Sequence, residues 1–288
     1  MGEDGLRGFM REVDKKGDLD KRDSLNNDTT ENQTSRARNL QDQGIRGYLQ
    51  KLENSGEMLR VTKEVDPETN LSAIEWKTYD QHGKATIFDN IKGHPDWQVC
   101  SQIFTDRKKW SMGVNLTEDE FLEGMLRKVA KPLEPVIQET EAAPCKEIIK
   151  IGDQASLYDI PVVKISEDDG GPFIPAGMAI VKDPETGIRN MSIHRQQVFD
   201  ERTTGFLILP RQARRIHDKY TNKNEPMPVA VVIGAHPAIW FGSAFTTTFG
   251  VDELAVAGGV LGDAIRLVKC ETIDVEVPAD AEIIIEGE

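Results

Sequence analysis

The residues best suited to chemistry gather in one run, "DDGGPFIPAGMAIVKDPETGIRNMSIHRQQVFD", from Asp168 to Asp200. Two-residue alternation within "NMSIHR" predicts Asn190, Ser192 and His194 on one strand face and Met191, Ile193 and Arg195 on the other. An arginine among apolar neighbours has two readings: it snorkels over apolar surface, or it reaches into a pocket to hold an anion. Gly170, Gly171 and Pro172 also have two readings, a turn that lets backbone approach a ligand and a plain turn. Other chemistries lack their residues. "GSAF" at 242–245 is not a G-x-S-x-G elbow, so a serine hydrolase is unsupported, and no G-x-G-x-x-G or Walker pattern occurs.

Short strands must position this run. "YDIPVVKI", "GMAIVKD", "NMSIHRQQVF", "GFLILP", "MPVAVVIGA", "IRLVKCET" and "AEIIIEGE" read as strands, interrupted by helices near Gln212–Tyr220 and Asp252–Leu261. Many short strands with Gly and Pro turns suggest a barrel or sandwich rather than a doubly wound sheet. Upstream, "KATIFDNI" reads as a strand and "TEDEFLEGMLRKVAKP" as a helix. Thr117 and Glu120 form its capping box, Phe121, Met125 and Val129 its apolar face, and Pro132 its stop. Prolines 132, 135 and 144 then punctuate a connection, which places a domain boundary near residue 150. Near the start, "GLRGFMREVDKKGDL" is echoed by "GIRGYLQKLENSGEM" 39 residues later, with a polar stretch between them. The expected organisation is an appended helix and linker over 1–43, a first domain over 44–150 and a second over 151–288.

The 288 residues carry a formal net charge of −14, which disfavours nucleic acid as a partner. No apolar run reaches the roughly 20 residues that span a bilayer, and "MGEDGLRGFM" has no apolar signal core. Three scattered cysteines form neither a disulfide framework nor a zinc pattern, which suits a reducing cytoplasmic setting.

Six segments together carry a family likeness: "DDGGPF", "DPETGIRNMSIHR", "HPAIWFGSAF", "DELAVAGG", "LVKCET" and "VPADAEIIIEGE". In order and spacing, the chain from about Gly44 to its last residue resembles the UbiD family of decarboxylases, which use prenylated FMN. The resemblance implies an α+β fold: a small N-terminal α/β domain, then a flavin-reductase-like split β-barrel, with the family's C-terminal α/β domain absent. It implies Asn190 as a metal ligand and Arg195 as the catalytic arginine. It assigns Glu253 as the acidic metal ligand, although a helix-start carboxylate needs no metal to be favourable. Gln212 takes the position of a family histidine ligand, a weaker donor that puts tight metal binding in question. His217 and His194 read as structural rather than as ligand and catalyst. The implied cofactor contacts are Asn190, Ser192, Ile193, Arg195, Arg211, Gln212 and Ser243, the last with the alternative of a loop serine of no function. The implied cofactors are prenylated FMN, Mn²⁺ or Mg²⁺, and K⁺, with hard oxygen donors suited to the divalent ion.

The implied reaction is reversible, non-oxidative decarboxylation of an aromatic or α,β-unsaturated acid. Arg195 would fix the carboxylate, and a glutamic acid of raised pKa would return a proton. Aligned on the family pattern, the acidic pair falls past Glu288, so Glu282 and Glu286 are expected to line a solvated strand face and the chain alone is not expected to turn over. The alternatives are a flavin-binding module that needs a separate C-terminal subunit and a degenerate, non-catalytic homologue. Expected partners are a flavin prenyltransferase as cofactor supplier and further copies in a homo-oligomer.

Overall fold

Apolar periodicity and turn chemistry build the first half around one small sheet. The structure is a computed structural model that describes residues 42–139 and 143–288. The appended motif expected at Gly5–Leu19, and the linker up to residue 41, lie outside the described residues. Helix α1 (Arg46–Asn54) turns Tyr48 and Leu52 inward onto strand β1 (Met58–Val61). Helix α2 (Leu71–His82) leads to β2 (Ala85–Phe88), which pairs parallel with β1 and antiparallel with β3 (Val99–Ser101). All four residues of β2 are buried, as its central place requires. Asp106 caps helix α3 (Arg107–Gly113) by accepting Lys109 N–H at 2.9 Å. The expected capping box precedes α4 (Phe121–Val129): Glu120 N–H donates to Thr117 Oγ1 at 3.3 Å, and the Thr117 hydroxyl donates to Glu120 at 2.8 Å.

The second half begins with β4 (Val136–Ile137), β5 (Phe173–Ile174), β6 (Met178–Lys182), β7 (Arg189–Ile193), β8 (Gln196–Val198) and β9 (Thr204–Phe206). Then come α5 (Gln212–Lys223), β10 (Val229–Ile233), α6 (Pro237–Ala244), α7 (Glu253–Leu261), β11 (Arg266–Lys269), β12 (Glu276–Pro278) and β13 (Ile283–Gly287). The strands form three sheets, ordered β13-β10-β6-β7, β5-β8-β9 and β12-β11-β4. Among the described residues they form no closed barrel, so the observed class is mixed α+β. The described residues belong to one compact unit.

Helix α7 is buried along its whole length, and its glycines permit that depth. A Cβ at Gly259 would stand 2.5 Å from Lys131 O, and one at Gly242 on α6 would stand 2.8 Å from Glu253 O. The main core therefore gathers Ile239, Leu254, Val260 and Leu267 with the inner face of β6 and β10.

Three sequence expectations need correction. "YDIPVVKI" forms a 3₁₀ turn at Leu157–Asp159 and one isolated bridge, Val163 to Phe173, because Pro161 interrupts it. "NMSIHRQQVF" is two strands broken at His194–Arg195. The third concerns Glu282 and Glu286: Glu282 is exposed, as a solvated face implies, but it precedes the strand, and Glu286 is half-buried. Glu282 accepts Arg46 Nε and one terminal nitrogen, each at 2.7 Å, and Glu286 accepts the Glu271 and Thr272 N–H groups at 2.8 and 2.7 Å. Both glutamates thus anchor the strand "AEIIIEGE", which pairs antiparallel with β10. No helix among the described residues is long and apolar enough to cross a membrane.

Candidate cofactor and metal site

Strand β7 runs antiparallel to β6, with Asn190 opposite Val181, which turns the Asn190 side chain into the protein. Helix α7 starts beside it. Asp252 caps that helix by accepting Leu254 N–H at 2.9 Å, so Glu253 becomes its first residue, 2% exposed. Glu253 Oε1 accepts Asn190 Nδ2 at 3.0 Å and the Thr247 hydroxyl at 2.9 Å, while Oε2 accepts Met191 N–H at 2.9 Å. From α5, Gln212 Nε2 donates to Thr247 O at 2.8 Å and to Thr247 Oγ1 at 3.2 Å. The residues expected as metal ligands, Asn190, Gln212 and Glu253, therefore come together around Thr247.

Burial pushes the Glu253 carboxyl above its ordinary range, and the bonds from Met191 and Thr247 only partly offset this. Among the described residues no cationic side chain pairs with it; its donors are all neutral. A buried carboxylate without a counter-charge is costly, and a cation would remove that cost. The donors on hand are a carboxylate, two amide oxygens without hydrogen-bond partners among the described residues, and a hydroxyl. This hard-oxygen set fits a divalent ion of the Mg²⁺ or Mn²⁺ kind. Each amide now presents its nitrogen to the cluster and must turn its oxygen inward to act as a ligand. No group of three or more His, Cys, Asp or Glu gathers among the described residues, so amide and hydroxyl oxygens have to complete the set.

Arg195 lies past the end of β7, half-exposed. Its guanidinium sits 4.0 Å from the Phe173 ring centroid and donates to Asp169 Oδ1 at 2.8 Å. Both partners come from "DDGGPF", so this loop is tied to the arginine. Ser192 and His194 share a face, as expected, and bond each other at 2.9 Å. His194 Nδ1 faces Leu207 O at 3.1 Å; a carbonyl only accepts, so Nδ1 carries the proton and Nε2 accepts from the Ser192 hydroxyl. Burial lowers the His194 pKa, which favours the neutral ring. Ile193 packs against the main core. Arg211 is the exposed N-cap of α5, and its guanidinium has no bonded partner among the described residues. Its place at the positive end of a helix suits a phosphate group. His217 lies on the outer side of α5 beside Thr221, as expected. Ser243 is not on a loop. It lies in α6, buried, and its hydroxyl donates to Trp240 O at 2.7 Å.

Sequence reasoning missed Thr247, whose place in "TTTFG" carries no signal of its own. It also missed Asp169 as the partner of Arg195, for which adjacency to the glycine turn was the one hint.

Comparison with known proteins bears on this arrangement. Residues 49–129 match the 3-octaprenyl-4-hydroxybenzoate carboxy-lyase N-terminal domain, and residues 136–288 match the Rift-related domain of the same carboxy-lyase. Ferulic acid decarboxylase 1 of Saccharomyces cerevisiae is 30% identical over 261 residues, which is 84% of this chain and 52% of that protein. An evolved dimeric form of the UbiD-class enzyme HmfF from Pelotomaculum thermopropionicum, solved with prFMN, superposes with a TM-score of 0.80. It is 37% identical, over 85% of this chain and 56% of that one. The vanillic acid decarboxylase of Sedimentibacter hydroxybenzoicus in closed form also gives 0.80, at 27% identity over 85% and 54%. The chain spans about half the length of the curated relatives it matches. With both domain models matched in order along one chain, the protein belongs to the UbiD family.

Proposed function

We propose that this chain supplies the flavin- and metal-binding part of a decarboxylase acting on an aromatic or α,β-unsaturated carboxylic acid with prenylated FMN. The observation that carries this reading is the meeting of Asn190, Gln212 and Glu253 around Thr247, beside a strand whose end bears Arg195. Asn190, Gln212 and Glu253 would hold Mn²⁺ or Mg²⁺, with K⁺ nearby. Ser192, Ile193, Arg195, Arg211, Gln212 and Ser243 would line the cofactor, with Arg211 toward its phosphate. The flavin-binding part, 151–288, would be the split barrel, set against a first domain over 44–150.

When bound, prenylated FMN supplies the sink for the electrons left behind by departing CO₂. Arg195 holds the substrate carboxylate by charge-assisted hydrogen bonds, and its present bond to Asp169 is the one it would exchange for that carboxylate. Phe173 keeps the guanidinium plane fixed during the exchange. A carboxylic acid from the C-terminal half of the enzyme, on a continuing chain or a separate subunit, returns the proton to carbon. HmfF with bound prFMN, at 37% identity, supports the choice of cofactor. Ferulic and vanillic acid decarboxylases among the relatives support the substrate class.

The test is CO₂ release from a panel of such acids by the chain co-produced with a flavin prenyltransferase and a family C-terminal half. Release that requires both Arg195 and the prenyltransferase is expected. A folded, cofactor-loaded complex inert toward the whole panel would contradict the proposal and favour a flavin-binding module without catalysis.

A further inference from the structure

Two consecutive residues of β7 pair with two consecutive residues at the start of α7. Asn190 meets Glu253, and one step back Arg189 meets Asp252, with its Nε at 3.0 Å and a terminal nitrogen at 2.6 Å from Asp252 Oδ2. The remaining terminal nitrogen of Arg189 donates to Glu276 Oε2 at 2.7 Å, and Lys182 holds the other oxygen of Glu276 at 2.9 Å. Asp252 meanwhile uses Oδ1 to cap α7. These groups are largely buried: side-chain exposure is 15% for Arg189, 11% for Asp252 and 7% for Glu276. One guanidinium therefore fixes the cap of the helix that presents Glu253, and it braces that cap against β12.

We propose that Arg189 is a positioning residue that aims Glu253 at Asn190 for a divalent cation, acting through Asp252. The inference rests on the metal-site reading above. It has a consequence of unusual sign. Loss of a positive charge so close to a cation site should, by Coulomb's law alone, tighten cation binding. Loss of the brace should weaken it, because a buried carboxylate released from its partners re-aims the first turn of α7. Lysine at this position keeps the charge but cannot bridge Asp252 and Glu276 in a planar fork. Positioning therefore orders the affinities as wild type, then Arg189→Lys, then Arg189→Met.

The test is titration of the flavin-free full chain with Mn²⁺ alone, followed by calorimetry and by the electron paramagnetic resonance of free Mn²⁺. Glu253→Gln serves as the negative control. Tyr48→Phe serves as a control for general destabilisation, since its hydroxyl bonds Ile103 O and Lys109 O in the first half of the chain. The expected result is affinity reduced about tenfold or more in Arg189→Met, an intermediate loss in Arg189→Lys, and no change in Tyr48→Phe. Should Arg189→Met fail to fold, the charge-conserving Arg189→Lys decides: weaker binding supports positioning, and unchanged binding overturns it. Wild-type binding that Glu253→Gln abolishes but Arg189→Met leaves equal or tighter overturns positioning alone. A wild-type chain that binds Mn²⁺ no better than Glu253→Gln overturns the metal-site reading and this inference together.

Discussion

Gln212 and Glu253 are joined through Thr247, whose hydroxyl donates to Glu253 Oε1 at 2.9 Å and receives Gln212 Nε2 at 3.2 Å. A single methyl-for-hydroxyl exchange would remove both hydroxyl bonds and leave Gln212 only its bond to the Thr247 carbonyl at 2.8 Å. Thr247→Val keeps the shape but leaves a buried carboxylate one donor short, so a loss of about 1–3 kcal/mol is expected. Urea unfolding of the metal-free chain at neutral pH measures it, and a loss indistinguishable from zero would show that Glu253 does not depend on this bond.

Gln212 offers a cation an amide oxygen. Imidazole binds first-row divalent metals more strongly and discriminates among them more. Gln212→His is expected to tighten Mn²⁺ binding about tenfold and to widen the preference for Co²⁺ and Zn²⁺ over Mg²⁺. Competition titrations read both effects, and unchanged affinities would place Gln212 outside the metal's reach.

Arg195 stands half-exposed against Asp169, an ion pair of the kind that contributes only about 0–1 kcal/mol. Arg195→Ala should therefore leave the unfolding midpoint nearly unchanged while it abolishes turnover in the complemented complex. Asp169→Asn should free the guanidinium and lower KM more than it alters kcat. Wild-type turnover in Arg195→Ala would refute its assigned role.

Glu286 gives a pH signature. Burial pushes its carboxyl up, but the Thr272 hydroxyl, the N–H groups of Glu271 and Thr272, and Lys146 outweigh that and hold it below the usual carboxylate range. With its folded pKa depressed, Glu286 adds stability above the unfolded carboxyl pKa, and that stability is lost as pH falls through the lower folded value. The difference in unfolding free energy between wild type and Glu286→Gln should thus shrink on acidification. A difference constant from neutral to acid pH would contradict the assignment.

Much of this site was legible from local chemistry. The helix expected near Asp252–Leu261 puts Glu253 at a helix start, and α7 begins there. Gln212 was likewise placed at the start of α5. Helix α6 was not legible, since "PAIWFGSA" is apolar on every side and shows no period, though His236 as cap and Pro237 as first residue mark its start. Thr247 was not legible because its loop carries no local signal, and the Arg189–Asp252 pair was not because residues 63 apart meet only once β7 and α7 pack. Alternation predicted the faces of Ser192 and His194 correctly but overran the break at Arg195, where tertiary contacts to Phe173 and Asp169 take over.

Cofactor and metal binding are tested most directly by the absorption spectrum and intact mass of the full chain co-produced with a flavin prenyltransferase in medium containing Mn²⁺. A flavin chromophore with the mass of prenylated FMN, near one per chain, is expected, and it is lost together with Mn²⁺ in Asn190→Ala and Glu253→Gln. A folded wild-type chain that emerges colourless and metal-free, and stays so with added FMN and Mn²⁺, would contradict that expectation.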